Sequence, residues 1–485
     1  MKNKKIYIFF TILISILCVV TVGKTIQNDT YSAIRIGDYI LHNGIDFVEH
    51  FNFNELFYHN ARWLFNVIIA LIYNKFNFFG VYLFAILGSI TLGLTIFNCL
   101  LKKNKNYFLS FIITVLSIYF ISGCLTARAQ IISYLLLFLE LLFIEKLIKS
   151  DKKKYIFVIS LISILIANIH TTIWPMTLIL FMPYFAEYII SKFLKKPKIL
   201  YFDDVNIKTL IITFLIVLVS GLLTPLGFLP YTYMFKTLSG GSSQIDITEL
   251  KIVNPFTNVS LFFSIIIYVY LFVYLKRKIK ISDIFLVSGL FIMAVMAYRN
   301  IPFFIILCTI SLSRLIMDNT EKYKEKIDKI FNYIYEDKII ISLITIVMIV
   351  LCTVLFYRNI YKKSYVADYI YPTKAADYIV NNLDLDNLRL YNSFNNGSYL
   401  EFRGIKVFLD SRSEVYCKEF NNTNILLDWY MTENLKTDYK YTFNEYNFNY
   451  ILLYIHEPLN YYVSKDNDYK IIYVDNYFVL YEKVE

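Results

Sequence analysis

The feature that most constrains this chain is a succession of apolar runs, each roughly 17 to 23 residues long, which is the length a helix needs to cross the hydrocarbon core of a bilayer. Such runs fall at about 6–23, 79–101, 107–123, 131–147, 155–170, 172–191, 209–226, 259–275, 283–298, 301–317 and 339–357, and predict eleven transmembrane helices. Charged residues make up 18% of the 485, against 57% apolar; a soluble globule carries about 25% charged residues. A soluble enzyme or binding domain is thereby excluded. Three lysines precede the first run, as in a signal peptide, but no small-residue cleavage site follows it, so the run is read as retained.

Orientation follows from the distribution of Lys and Arg, because positive loops stay on the cytoplasmic side. With the amino terminus inside, the inner loops and the helix ends beside them carry 26, in clusters such as Lys102, Lys103 and Lys105, then Lys152 to Lys154, then Lys276 to Lys278; the outer loops carry eight. The reading is a multi-pass cell-membrane protein, amino terminus cytoplasmic and carboxyl-terminal domain extracytoplasmic. The net charge of +10 is then mainly a topology signal. No compact basic domain exists, so nucleic acid is not expected as a partner. Of six cysteines only Cys417 lies in the outer soluble part, so neither a disulfide framework nor a CxxC metal site is present.

Two domains are expected: a transmembrane domain, 1–357, and an extracytoplasmic α/β domain, 358–485. In the second, "YPTKAADYIVNNL" reads as a helix begun at Pro372 and Thr373, "IKVFLDS" and "YILLYI" as buried strands, and "YKIIYVDNYFVLYEK" as a hairpin turning at Asp475 and Asn476. The first outer loop, 24–78, contains two segments, 29–43 and 61–76, that read as helices lying along the interface. The central outer loop, 227–258, carries Gly240, Gly241, Ser242 and Ser243; loops this long are usually functional or mobile.

On this topology Asp29, Arg62, Arg128, His170 and Arg299 all reach the outer face. Taken singly, each has a structural explanation. The arginines can be snorkelling anchors, His170 a hydrogen-bonded packing residue, and Asp29 the cap of a helix starting at Thr30. Five ionisable residues from distant segments at one face point instead to a single polar pocket. Arginines bind phosphate through paired charge-assisted hydrogen bonds, and a nearby carboxylate can take the proton of an acceptor hydroxyl. That chemistry suits transfer from a lipid-linked phosphate whose tail stays in the bilayer. His42, Asp46, Glu49 and His50 crowd one outer loop with groups able to hold a divalent ion, but their spacing follows no strict ligand pattern, so no metal is assigned. Asp410 and Arg412 of "FLDSRSEVY" either contact the acceptor or pair with each other.

The run from Asp29, Thr30 and Tyr31 through Gly37, Tyr39, Ile40 and Leu41, followed by "HNGIDFVEHF" and "RWLFNVIIALIYN", resembles the first outer loop of polytopic GT-C-type glycosyltransferases and their uncharacterised bacterial relatives. "ARAQIISYLLLF", "NIHTTIWPM", "TPLGFLPYTYMFKT" and "YRNIPFF" extend the resemblance, and "NNGSYLEFRGIKVFLDSRSEVY" is similar to the relatives' carboxyl-terminal domain. The resemblance implies an inverting enzyme that moves a sugar from a polyprenyl-phosphate donor to an envelope glycan or lipid acceptor. It places the catalytic residue at Asp29. Arg62, Arg128, His170, Glu249, Arg299, Asp410 and Arg412 are then the substrate-binding candidates. Some GT-C enzymes use a metal, so a divalent ion is compatible with the resemblance. Where relatives often have His or Glu before the Trp-Leu pair, this chain has Arg62, and Glu249 of "QIDITELKI" is either an alternative second acid or a solvated loop residue.

Two rival functions belong to other classes. A flippase for a lipid-linked intermediate places ionisable groups at mid-membrane and is built from repeated halves, whereas here no internal repeat is evident and the polar residues gather at one face. An inactive scaffold binding envelope polymer predicts Asp29 without a cavity, or engaged by an arginine.

Overall fold

The computed structural model describes residues 2–54, 56–193, 200–239, 249, 251–274, 279–320 and 337–484. Residues 240–243 of the central loop and the basic stretch 276–278 lie outside them. The chain forms two compact units: Met1–Lys24, Leu83–Pro230 and Ile247–Lys362 make the first, and Thr25–Tyr82, Tyr231–Asp246 and Lys363–Glu485 the second.

The first unit is helical. Among the described residues of the whole chain, four helical segments are long and apolar enough to cross a membrane: Lys4–Thr21, Trp63–Asn104, whose residues up to Tyr82 belong to the second unit, Thr171–Phe193 and Ile339–Asn359. A fifth is added if Tyr298–Leu307 and Thr309–Ile316, bent by 43°, count as one span. Shorter apolar helices lie at Tyr107–Phe120, Lys154–Ile169, Ile207–Ser220, Val259–Val273 and Ile281–Met296. Ile339 and Val347 are 70% and 65% exposed on their helix, an apolar surface that only lipid or a partner can cover. These helices make the chain a membrane protein. Local chemistry sets several helix starts: Asn106, Asn206, Asn258 and Asp337 each accept a backbone N–H of the first turn, from Leu109, Thr209, Leu261 and Ile339 respectively. The expected span 172–191 is divided into helices Pro175–Ile179 and Met182–Phe193. Pro183 accounts for the division, since it has no N–H and its ring opposes the carbonyl four residues back, that of Ile179. A short parallel pair, β1 (Leu200–Tyr201) with β2 (Ile279–Lys280), completes the unit.

The second unit joins the first loop to the carboxyl-terminal residues. Its helix Asn28–Asn43 packs on helix Gly397–Phe402, and a helical run opens at Trp63 and is interrupted at Asn77, where φ is 52° and ψ −156°. Four strands, β3 (Leu390–Tyr391), β4 (Tyr450–Tyr454), β5 (Tyr469–Val474) and β6 (Phe478–Lys483), form a sheet of order β3-β4-β6-β5. β3 and β4 are parallel; β4–β6 and β5–β6 are antiparallel. Asp475 Oδ1 accepts from the N–H groups of Tyr477 and Phe478 and closes the β5–β6 hairpin. The segment 405–411, expected as a strand, is buried but joins no sheet: it makes one isolated bridge, Val407 to Asn52. Asparagines replace a neighbouring strand. Asn392 accepts from the Phe408 N–H (2.9 Å) and donates to the Leu409 carbonyl (2.8 Å), and Asn52 donates to the Phe408 carbonyl (2.5 Å).

Gly37 is where two helices of this unit touch. A Cβ there would lie 1.9 Å from the carbonyl oxygen of Asn66 and 2.8 Å from Ala70 Cβ. Backbone cannot yield as a flexible side chain does. Gly37→Ala is expected to cost about 1–3 kcal/mol, the range for overpacking, read as a lower melting temperature of the purified protein. An unchanged melting temperature would show that the helices separate freely.

Candidate active site

Asp29 lies in the first turn of helix Asn28–Asn43, where a negative charge faces the positive end of the helix dipole. The helix starts two residues earlier than expected, with Gln27 at the cap position and no side-chain cap bond, so Asp29 is not the cap. Its carboxylate is 3.6 Å from an Arg62 guanidinium nitrogen, and the two side chains are 14% and 15% exposed. At that distance the pair is a charge contact more than a hydrogen bond. Tyr371, whose hydroxyl donates to the Ile26 carbonyl (3.0 Å), lies close enough to feel the charge: burial first, then Asp29, pushes its phenol well above the usual range.

In the first unit, Arg128 precedes helix Ala129–Ser150 and donates to both carboxylate oxygens of Glu249, at 2.7 and 3.4 Å. Two central-loop backbone bonds anchor the neighbouring stretch: the Tyr298 N–H reaches the Lys251 carbonyl (3.2 Å) and the Val253 N–H the Val295 carbonyl (2.8 Å). Arg299, exposed on the turn Tyr298–Asn300, therefore sits beside the chain that carries Glu249. His170 is buried, its Nδ1 2.8 Å from the Ser133 hydroxyl, and ties helix Ala129–Ser150 to the end of helix Lys154–Ile169.

Asp410 and Arg412 do pair, within a larger buried node of the second unit. Arg412 is fully buried and donates to Asp410 (2.9 Å through Nε), Glu401 (2.7 Å) and Glu49 (2.6 Å). Tyr416 donates its hydroxyl to Asp410, and the Tyr58 ring lies 4.7 Å from the guanidinium. Three ionised carboxylates around one buried cation would leave a net charge that burial does not tolerate. Burial pushes the Glu401 carboxyl well above its usual range against the pull of Arg412, with Asp410 adding to the rise, so burial favours Glu401 in its neutral form. Burial raises Asp410 too, but Arg412 and the hydrogen bonds from Glu401, Arg412 and Tyr416 outweigh it and hold that carboxyl well below the usual range.

A cleft of about 830 Å³ opens in the second unit, walled by Phe47, His50, Asn52, Phe53, Arg389 and Lys406 among others. Asp29 and Arg62 are not among its walls. Asp46 accepts from the Tyr39 hydroxyl (2.8 Å) and contacts His50 Nε2 (2.7 Å), while His42 Nδ1 faces the Asp38 carbonyl (2.8 Å). The structure thus places His42 apart from the Asp46–His50 pair. No group of three or more His, Cys, Asp or Glu able to hold a metal occurs among the described residues.

Sequence reasoning missed a second ionic node, in the first unit. Arg314 bridges Asp283 (2.7 Å) and Glu145, Lys103 also holds Glu145, and Ser311 donates to Asp283 (2.7 Å). Glu145 and Arg314 were the available signal, as ionisable residues inside apolar runs.

The Archaeoglobus fulgidus oligosaccharyltransferase, in its apo form, matches with a TM-score of 0.56 and 10% identity, over 93% of this chain and 69% of that one. The chain shares its fold with that oligosaccharyltransferase. No protein-family model matches, and no curated protein does. At this identity the likeness concerns fold alone.

Proposed function

We propose that the chain is an inverting membrane glycosyltransferase of GT-C type. It takes a sugar from a polyprenyl-phosphate donor and passes it to an envelope glycan or lipid acceptor outside the cytoplasm, through an eleven-span domain with the amino terminus inside. The observation that carries the proposal is the oligosaccharyltransferase fold, supported by Asp29 in the first turn of the first-loop helix. In the reaction the acceptor oxygen attacks the anomeric carbon as the carbon–oxygen bond to phosphate breaks. Asp29 takes the acceptor's hydroxyl proton, and polyprenyl phosphate leaves with the bonding electrons. Arg62, Arg128 and Arg299 are assigned to the charge that builds on the leaving phosphate, and His170 to the orientation of helix Ala129–Ser150. The test is transfer by the purified protein in lipid discs, supplied with polyprenyl-phosphate sugars and envelope glycans. A product of inverted anomeric configuration supports the reading; donor translocation without transfer supports the flippase instead.

Glu249 has a role in this scheme because a carboxylate and a phosphate compete for the same guanidinium fork. Glu249→Gln is expected to lower the donor KM several-fold, equivalent to about 1 kcal/mol, with kcat little changed. A raised KM would place Glu249 on the substrate side of the contact.

One observation favours a second reading, the inactive scaffold: Arg62 already engages Asp29, so an acceptor must compete for that carboxylate. Under this reading no donor yields transfer, and Asp29→Asn and Arg62→Met change only stability.

A further inference from the structure

The cleft of the second unit has a fixed frame. Two stretches of the first loop, 47–54 and 56–58, lie against each other: the Glu49 N–H reaches the Leu56 carbonyl and the Tyr58 N–H the Phe47 carbonyl, each at 2.9 Å. Asn421 bonds both backbone groups of Phe57, at 2.7 and 2.8 Å. The Val407 N–H reaches the Phe51 carbonyl (3.1 Å), which sets Lys406 beside the same loop. A preformed cleft of about 830 Å³ lies within the range of small-molecule sites, about 300–1,000 Å³.

Two kinds of side chain in its walls are not used by the fold. Phe47 and Phe57 hold their rings parallel, with centroids 5.6 Å apart and 7° between planes, yet remain 37% and 44% exposed; an exposed apolar patch rimmed by polar groups marks a binding surface. The Arg389 guanidinium lies 4.7 Å from the centre of the Phe53 ring and donates through Nε and Nη2 to the Tyr446 carbonyl, at 2.9 and 2.7 Å. The group is thereby fixed, while its Nη1 has no partner among the described residues. Lys406 is exposed and has no hydrogen-bond or ion-pair partner among them. The acids of the walls offset part of this charge. Glu49 is buried and committed, accepting from Arg412 (2.6 Å) and from the Phe51 N–H (2.9 Å), which leaves Asp386 as the exposed acid among the described walls.

We propose that this cleft binds an acidic glycan, a short run of pyranose rings that carry carboxylates. The C–H face of a pyranose is apolar and covers an aromatic ring as other flat surfaces do. Its hydroxyls both donate and accept, and so match the side-chain amides of Asn54 and Asn387 in the walls. Lys406 and the open edge of Arg389 meet the carboxylates through charge-assisted hydrogen bonds. Set against Asp386, the two cations leave an excess of one positive charge. That suits a carboxylate, whereas a phosphate monoester carries about two negative charges. Neither Asp29 nor Arg62 lines the cleft, so the site stands apart from the transfer reaction and its binding is measured without a donor.

The experiment uses the full chain in detergent micelles and measures equilibrium binding by calorimetry with three probes: tetragalacturonate, its fully methyl-esterified form, and tetraglutamate. Tetragalacturonate should bind saturably, and more weakly as salt rises. The ester keeps the rings without the charge, and tetraglutamate keeps the charge without the rings; each should bind at least about tenfold more weakly. Lys406→Met should weaken tetragalacturonate binding about tenfold, the low end for a hydrogen bond to a charged group, and leave binding of the ester unmoved. Phe47→Ala should weaken both several-fold by removing one ring of the pair. Both side chains are exposed, so the variants should melt close to the native temperature; if Phe47→Ala melts early, Lys406→Met and the comparison of probes still decide. Absence of saturable tetragalacturonate binding, equal binding of the ester or of tetraglutamate, or a Lys406→Met variant that binds as the native protein does each overturns the site.

Discussion

Asp29→Asn is expected to lower kcat for sugar transfer by at least about a hundredfold, the lower bound for removing a general base, while the protein stays folded. Asn has the shape of Asp but cannot take a proton, so the loss should appear in kcat, with the donor KM nearly unchanged. Stability should move little. A first-turn charge on a helix contributes about 0.3–1 kcal/mol, and a contact of 3.6 Å between partly exposed side chains adds no more than about 1 kcal/mol. Melting temperature and kcat measured on the same preparation separate the two effects. Full transfer by the Asn variant would remove Asp29 from the chemistry. A parallel fall in kcat and melting temperature would make Asp29 a structural residue.

Much of the helical architecture is legible in the apolar runs, because a helix in hydrocarbon must be apolar along its length. Helix starts are legible as well, in the Asn or Asp before Tyr107, Ile207, Val259 and Lys338. What escapes a linear reading is polar chemistry done across distance. The segment 405–411 has a strand's composition, yet its hydrogen-bonding groups are taken up by Asn392 and Asn52, residues that nothing in the local pattern marks. Arg412 and Asp410 are visible as a pair two residues apart, but Glu49 is 363 positions away, and only the fold reveals that one guanidinium serves three carboxylates. Of the candidate site, the sequence shows which residues are costly near a membrane. It does not show that Arg62 meets Asp29 and Arg128 meets Glu249, since opposite charges on remote loops have no periodicity to betray them.

Arg412→Met carries the largest expected loss of stability. Removing one partner from a buried ionic group costs about 3–5 kcal/mol, and here three carboxyls lose at once the guanidinium they share. The second unit should melt or become protease-sensitive well below the native temperature. Glu401→Gln supplies the contrast. An amide has the shape of the neutral carboxyl and can accept from Arg412 as Glu401 does, so this variant should be nearly neutral at acidic pH. The pH dependence follows from the direction of the Glu401 shift. Unfolded, Glu401 ionises near its ordinary value of about 4.5; folded, it keeps its proton to a much higher pH. The folded state therefore binds more protons across that interval, and native stability must fall as pH rises through it. Asp410 works in the opposite sense, its stabilisation present above the ordinary carboxylate value and lost as pH falls towards its depressed one. Glu401→Gln removes only the Glu401 share of the first dependence, since burial also raises the carboxyls of Glu49, Glu433 and Glu457, so denaturation midpoints of the variant should fall less steeply with rising pH than those of the native protein. If both decline equally steeply, Glu401 is ionised in the folded protein and its neutral form has no part in this node.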